Sequence, residues 1–138
     1  MKKLLIIPFL ASLLFLFSGC EEAENFIPDN ADPRDDFIGE WNCSENELKS
    51  TDDYTVTIQK DPENSGQVLL QNFGLLGQSA YPYGLMTGDK ITIPRQEVNS
   101  WTIKNASAEL IGKDKIEWTY TLSDGADETR FEATYTRK

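Results

Sequence analysis

The chain of 138 residues has no histidine, two cysteines and two methionines. Without His, neither a Ser-His-Asp nor a Cys-His nucleophile can be assembled, and imidazole metal sites are excluded. No Gly-rich phosphate loop is present. The acidic turns do not complete a calcium loop. Asp61-x-Glu63-x-Ser65-Gly66 departs from Asp-x-Asp-x-Asp-Gly and lacks the terminal Glu. Carboxylate pairs such as Asp52-Asp53 have nothing beside them that positions a substrate. These absences point away from an enzyme, and neither a cofactor nor a metal is expected. Positive charge is also scarce, with 13 basic against 23 acidic residues and a net charge of −10. Such a chain repels phosphate backbones, so nucleic acid is not an expected partner.

Long apolar runs are scarce too, and the single prominent one is N-terminal. Lys2 and Lys3 precede 14 largely apolar residues, 4–17, interrupted at Pro8 and Ser12. That is short of the roughly 20 residues a membrane-spanning helix needs, so a cleaved signal is the better reading. The run ends in Leu16-Phe17-Ser18-Gly19-Cys20. This resembles the lipobox of bacterial lipoproteins, with Phe17 where the pattern usually has Leu. The resemblance implies a signal peptide over 1–19 and lipidation of Cys20. Cleavage would leave 11 basic and 23 acidic residues, a net of −12. Acyl chains on Cys20 would hold the protein to a membrane, since each buried CH₂ contributes roughly 0.8 kcal/mol. The acidic run Glu21-Glu22-Ala23-Glu24 resembles the export signal of Bacteroidota lipoproteins. It implies a surface-exposed outer-membrane lipoprotein, with a periplasm-facing one as the alternative.

Residues 20–36 read as the lipidated Cys and an acidic flexible tether, rich in Pro and Asn. Its 16 residues after Cys20 would set the domain roughly 20–25 Å from the lipid. The segment 33–36 is placed as a short turn leading into the first strand. If Cys20 carries lipid, Cys43 has no disulfide partner, and the domain depends on its apolar core. Cys43 itself reads as a small buried apolar residue.

From residue 37 onward the hydrophobic period is two. Tyr54, Val56 and Ile58 alternate with Thr55, Thr57 and Gln59. Ile116, Trp118, Tyr120 and Leu122 alternate with polar residues, as do Phe131, Ala133 and Tyr135. Turn clusters separate the runs. The pattern predicts eight strands near 37–44, 53–60, 67–73, 81–86, 90–96, 101–111, 115–123 and 129–137. A longer loop is expected around 73–82. Short turns between consecutive antiparallel strands imply an eight-stranded up-and-down barrel over 37–138, with a β-sandwich as the alternative. The domain is expected to be monomeric.

Phe37-Ile38-Gly39-Glu40-Trp41 looks like the Gly-x-Trp start of lipocalins and other calycins. The closing run Ala133-Thr134-Tyr135-Thr136-Arg137-Lys138 is similar to that of small calycin-like lipoprotein domains of the Bacteroidota. The resemblance covers roughly 35–138. It implies that Arg137 lies over Trp41 and closes the barrel base. The other reading of Trp41 is a core aromatic on a sandwich strand.

Two functions follow as expectations. One is a non-catalytic binding module at the cell surface, with a protein or glycan partner. Its candidate interaction loop carries Leu75, Leu76, Tyr81 and Tyr83, which can also fold back as a lid. The other is a lipocalin-like carrier or sensor of a small apolar ligand. Tyr54, Trp118, Tyr120, Phe131 and Tyr135 are then the candidate lining, unless they simply fill the barrel.

Overall fold

Alternating side chains put every second residue of each strand inside, and the turn clusters fix where the strands stop. The computed structural model describes residues 31–46 and 53–138. The signal segment, Cys20 and the acidic run after it lie outside these residues. Nine strands are present: β1 (Gly39–Glu45), β2 (Tyr54–Lys60), β3 (Gln67–Gln71), β4 (Tyr83–Thr87), β5 (Lys90–Ile93), β6 (Gln96–Val98), β7 (Trp101–Ile111), β8 (Lys115–Ser123) and β9 (Glu128–Arg137). Each of β1 to β4 pairs antiparallel with the strand that follows it, as do β6, β7 and β8, and β1 pairs with β9. The β5–β7 ladder, Lys90↔Glu109 to Ile93↔Ala106, joins the two halves. The result is a closed eight-stranded antiparallel up-and-down barrel, plus β6. Closure rules out the sandwich alternative and leaves the short β6 at a sheet edge.

The strand expected at 90–96 is divided. Leu85↔Thr92 continued upward would set Tyr83 against Pro94. Proline has no N–H for the ladder, so β5 ends at Ile93. The chain turns away and resumes as β6, a hairpin partner of the start of β7. Its two-residue turn, Asn99-Ser100, has φ of 51° and 68°, the backbone of a type I′ hairpin. The expected strand at 37–44 starts later, at Gly39. The one expected at 67–73 stops at Gln71, and that at 81–86 begins at Tyr83.

Inward positions carry Trp41, Val56, Ile58, Leu70, Ile91 and Ile116, all fully buried. Each buried aliphatic side chain of this size contributes roughly 1.5–3 kcal/mol. β7 keeps its apolar side inward by means of a bulge. Register shifts between Lys104 and Ser107, with Asn105 at φ 50°. Ile103 before the bulge and Ala106 and Ala108 after it are therefore all buried. On β4, Gly84 also faces inward. A Cβ there would lie 2.5 Å from Ile91 Cγ2, so only glycine fits at this crossing.

The base of the barrel begins earlier than the tether reading of 20–36 supposes. Pro33–Asp36 forms a 3-10 turn capped by Asp32, whose side chain accepts from Arg34 N at 3.0 Å. Arg34 is buried and donates to the carbonyls of Asp61, Asn64 and Gln67 at 3.2–3.4 Å. Its Nη2 lies 2.7 Å from Asp32 Oδ2, and Lys60 Nζ sits 3.1 Å from the same oxygen. The Arg34 hydrogen bonds hold the Asp32 carboxyl well below the usual carboxylate range. Residues 32–36 thus belong to the folded unit.

Candidate functional site

The antiparallel order gives the barrel two unlike ends. The base holds the 3-10 turn, the tight β2–β3, β4–β5 and β7–β8 turns and the C-terminus. The rim holds the 72–82 connection between β3 and β4, the β6–β7 hairpin and the β8–β9 turn.

At the base, Trp41 and Arg137 face each other across the β1–β9 ladder. The Arg137 Cζ lies 4.2 Å from the centre of the Trp41 ring. The guanidinium also donates to the carbonyls of Asp36 (2.7 Å), Lys113 (3.0 and 3.1 Å) and Ile38 (3.1 Å). Trp41 Nε1 donates to Phe37 O at 2.9 Å. Gly39 has a φ of 132°, a conformation that favours glycine, with Arg137 Nη1 passing 3.5 Å from where a Cβ would be. The pair expected from sequence is brought together, and it ties the first strand, the last strand and the β7–β8 turn into one joint.

Inside, four of the five candidate lining residues form one aromatic group around Phe73. Phe73 meets Trp118 at 5.1 Å and Tyr120 at 4.6 Å between ring centres. Trp118 lies 5.7 Å from Tyr135, and Tyr120 stacks on Phe131 at 5.2 Å. Trp118, Tyr120 and Tyr135 are buried; Tyr54 and Phe131 are partly buried nearer the rim. These rings fill the upper interior from several sides.

A polar thread runs through this group, and its central residue escaped sequence reasoning. Glu45 continues the inward parity of Trp41 and Cys43 on β1, so a carboxylate points into the rim end of the barrel. It accepts from the hydroxyls of both Tyr54 and Tyr120. Burial raises its pKa, and the Tyr54 hydrogen bond opposes that rise. Cys43, fully buried beside it, is a free thiol pushed up to about 12 by burial. Burial also raises the Tyr54 and Tyr135 hydroxyls above their ordinary range. Among the described residues, two buried donors, Trp118 Nε1 and Tyr135 Oη, have no hydrogen-bond partner. The parity of Glu45 with Trp41 was the available signal for this cluster.

At the rim, the four candidate interaction residues separate. Leu76 turns inward and is buried, whereas Leu75 (50% exposed), Tyr81 (45%) and Tyr83 (36%) face solvent. Tyr81 Oη accepts from Gln71 Nε2 at 3.0 Å, which steadies the ring without covering it. The loop thus buries Leu76 against the core and leaves Leu75, Tyr81 and Tyr83 at the surface.

The outside of β5, β7, β8 and β9 forms an open polar groove of about 530 Å³. Thr92, Ser107, Thr119 and Thr134 line it together with Glu109 and Glu117, which are direct cross-strand partners. Lys115 Nζ lies 2.7 Å from Glu117 and offsets part of that repulsion. Among the described residues, no group of three acidic or cysteine side chains is placed to hold a metal ion. A scan against protein-family models, a search of curated proteins and a search of solved structures each found no match.

Proposed function

We propose that this chain is an exported, lipid-anchored lipoprotein whose calycin-like barrel is a non-catalytic binding module at the cell surface, working through its rim. The observation that supports this most is the polarity of the barrel. Asp32 and the 3-10 turn enter at the base, so a tether from Cys20 would arrive there, and the rim with the 72–82 connection lies at the other end. Leu75, Tyr81 and Tyr83 stand exposed at or next to that rim. Exposed Tyr and Leu on a scaffolded loop suit recognition of a protein or glycan. An acidic surface disfavours anionic partners.

Two measurements test the reading. Intact-mass spectrometry of the membrane-extracted protein should show a chain starting at Cys20 with acyl mass added; a free Cys20 thiol contradicts anchoring. Replacing Leu75, Tyr81 and Tyr83 together by serine should abolish recovery of a crosslinked partner from intact cells while leaving the melting temperature within a few degrees. Undiminished recovery contradicts the rim as the binding surface.

A carrier of a small ligand is the second reading. It is favoured by Trp118 Nε1 and Tyr135 Oη in the interior, which have no hydrogen-bond partner among the described residues and which a guest bearing an acceptor would satisfy. Native mass spectrometry of protein purified from its own membrane would detect such a guest, and a ligand-free mass counts against it.

A further inference from the structure

Residues 72–82 cover the rim end of the barrel, and side chains alone join them and Tyr83 to the β6–β7 hairpin. Because Pro94 cannot serve Tyr83, the Gln96 carboxamide takes the place of a peptide group. Its Oε1 accepts from the Tyr83 N–H at 3.1 Å, and its Nε2 donates to the Tyr83 carbonyl at 2.9 Å. At the hairpin tip, Asn99 Nδ2 donates to the Leu76 carbonyl at 2.7 Å. On the other side, Asn72 Nδ2 donates to the Thr55 carbonyl at 3.0 Å. The underside of the segment is apolar, with Phe73, Leu76 and Ala80 buried against the core.

Its backbone is bent unusually hard. Asn72, Gly74 and Leu75 have φ of 64°, 57° and 57°. Asparagine and glycine accept that region, but a leucine there is strained. Such a conformation persists only where surrounding contacts impose it, and opening relieves it. The half-exposed Leu75 side chain contributes little burial in return.

We propose that residues 72–82 form a lid that opens by local unfolding between Asn72 and Pro82, with Asn99 clasping its middle and Gln96 holding the strand end at Tyr83 to which it returns. Opening lifts Phe73 off Trp118 and Tyr120 and presents the aromatic interior at the rim. The lid works in the same way whether or not the chain is anchored to a membrane.

Hydrogen exchange of the full chain, read by mass spectrometry with residue resolution, tests this. The Leu75, Leu76 and Ala80 amides are hydrogen-bonded within the segment, to Asn72, Phe73 and Gly77 carbonyls, so their protection reports on the lid itself. In the Gln96→Ala, Asn99→Gly double variant, where glycine keeps the left-handed turn at position 99, these amides should exchange about tenfold faster. The Val56, Ile58 and Ile116 amides should be unchanged. Leu75→Asn, which suits the left-handed backbone, should slow lid exchange by about threefold. Unchanged lid exchange in the double variant overturns the proposal, as does acceleration spread equally through the barrel strands. If the double variant does not fold, Leu75→Asn decides alone: slower lid exchange supports the lid, and unchanged or faster exchange overturns it.

Discussion

One guanidinium, that of Arg137, serves three backbone carbonyls and one indole face. Its stacking on Trp41 contributes about 0.5–2 kcal/mol, and the carbonyls would lose charge-assisted donors with it. Arg137→Ala should therefore destabilise the barrel by about 2–4 kcal/mol in urea unfolding. Arg137→Lys should recover less than half, because an ammonium lacks the planar fork. Glu45 makes a different kind of prediction. Its pKa is raised in the fold above the ordinary 4.5, so the folded chain takes up this proton first as pH falls. Stability from this group accordingly rises as pH drops through the folded value, reaches its full extent below about 4.5, and is lost again as pH climbs. Comparing urea unfolding of wild type and Glu45→Gln from pH 8 to pH 4 isolates the effect. The difference between them should move in favour of wild type as pH falls. At Cys43, burial predicts that alkylating reagents label the folded protein only at the rate of opening. Rapid labelling under native conditions would contradict the buried position.

At the scale of elements, the strands were largely legible because polar and apolar residues alternate so regularly in 54–60, 115–123 and 128–137. Three irregularities were less so, each for a physical reason. Pro94 directly follows the alternating Ile91-Thr92-Ile93, and the cost of its missing N–H depends on which residue the register sets opposite it. The bulge at Asn105 is required only because Ile103 and Ala106 must share a face, which is a consequence of pairing with β8. The turn at Pro33–Asp36 was legible, but not its anchoring, which exists only once Arg34 meets the three carbonyls of the β2–β3 region. The bulge is open to test. Asn105→Val places a β-branched residue at φ 50° and should cost about 1–2 kcal/mol by thermal unfolding, whereas Asn105→Gly should be close to neutral.

For the whole molecule, the division of labour between the two ends organises the account. The base is stitched by Arg34, Trp41 and Arg137 and is built for stability. The rim has the strained turn, the exposed Leu75 and Tyr81, and the Glu45 carboxylate beneath them. The Trp41–Arg137 pair was legible because Gly-x-Trp and a C-terminal basic strand each carry a recognisable pattern. Glu45, Gln96 and Asn99 were not, because their roles exist only once parity and register bring distant segments together. The rim as a working surface can be tested directly by site-specific photocrosslinking in intact cells, with the reactive group placed at Tyr81 on the rim loop or at Lys113 in the base turn. The account predicts discrete crosslinked products from position 81 and none from position 113. Discrete products from position 113 with none from position 81 would contradict it.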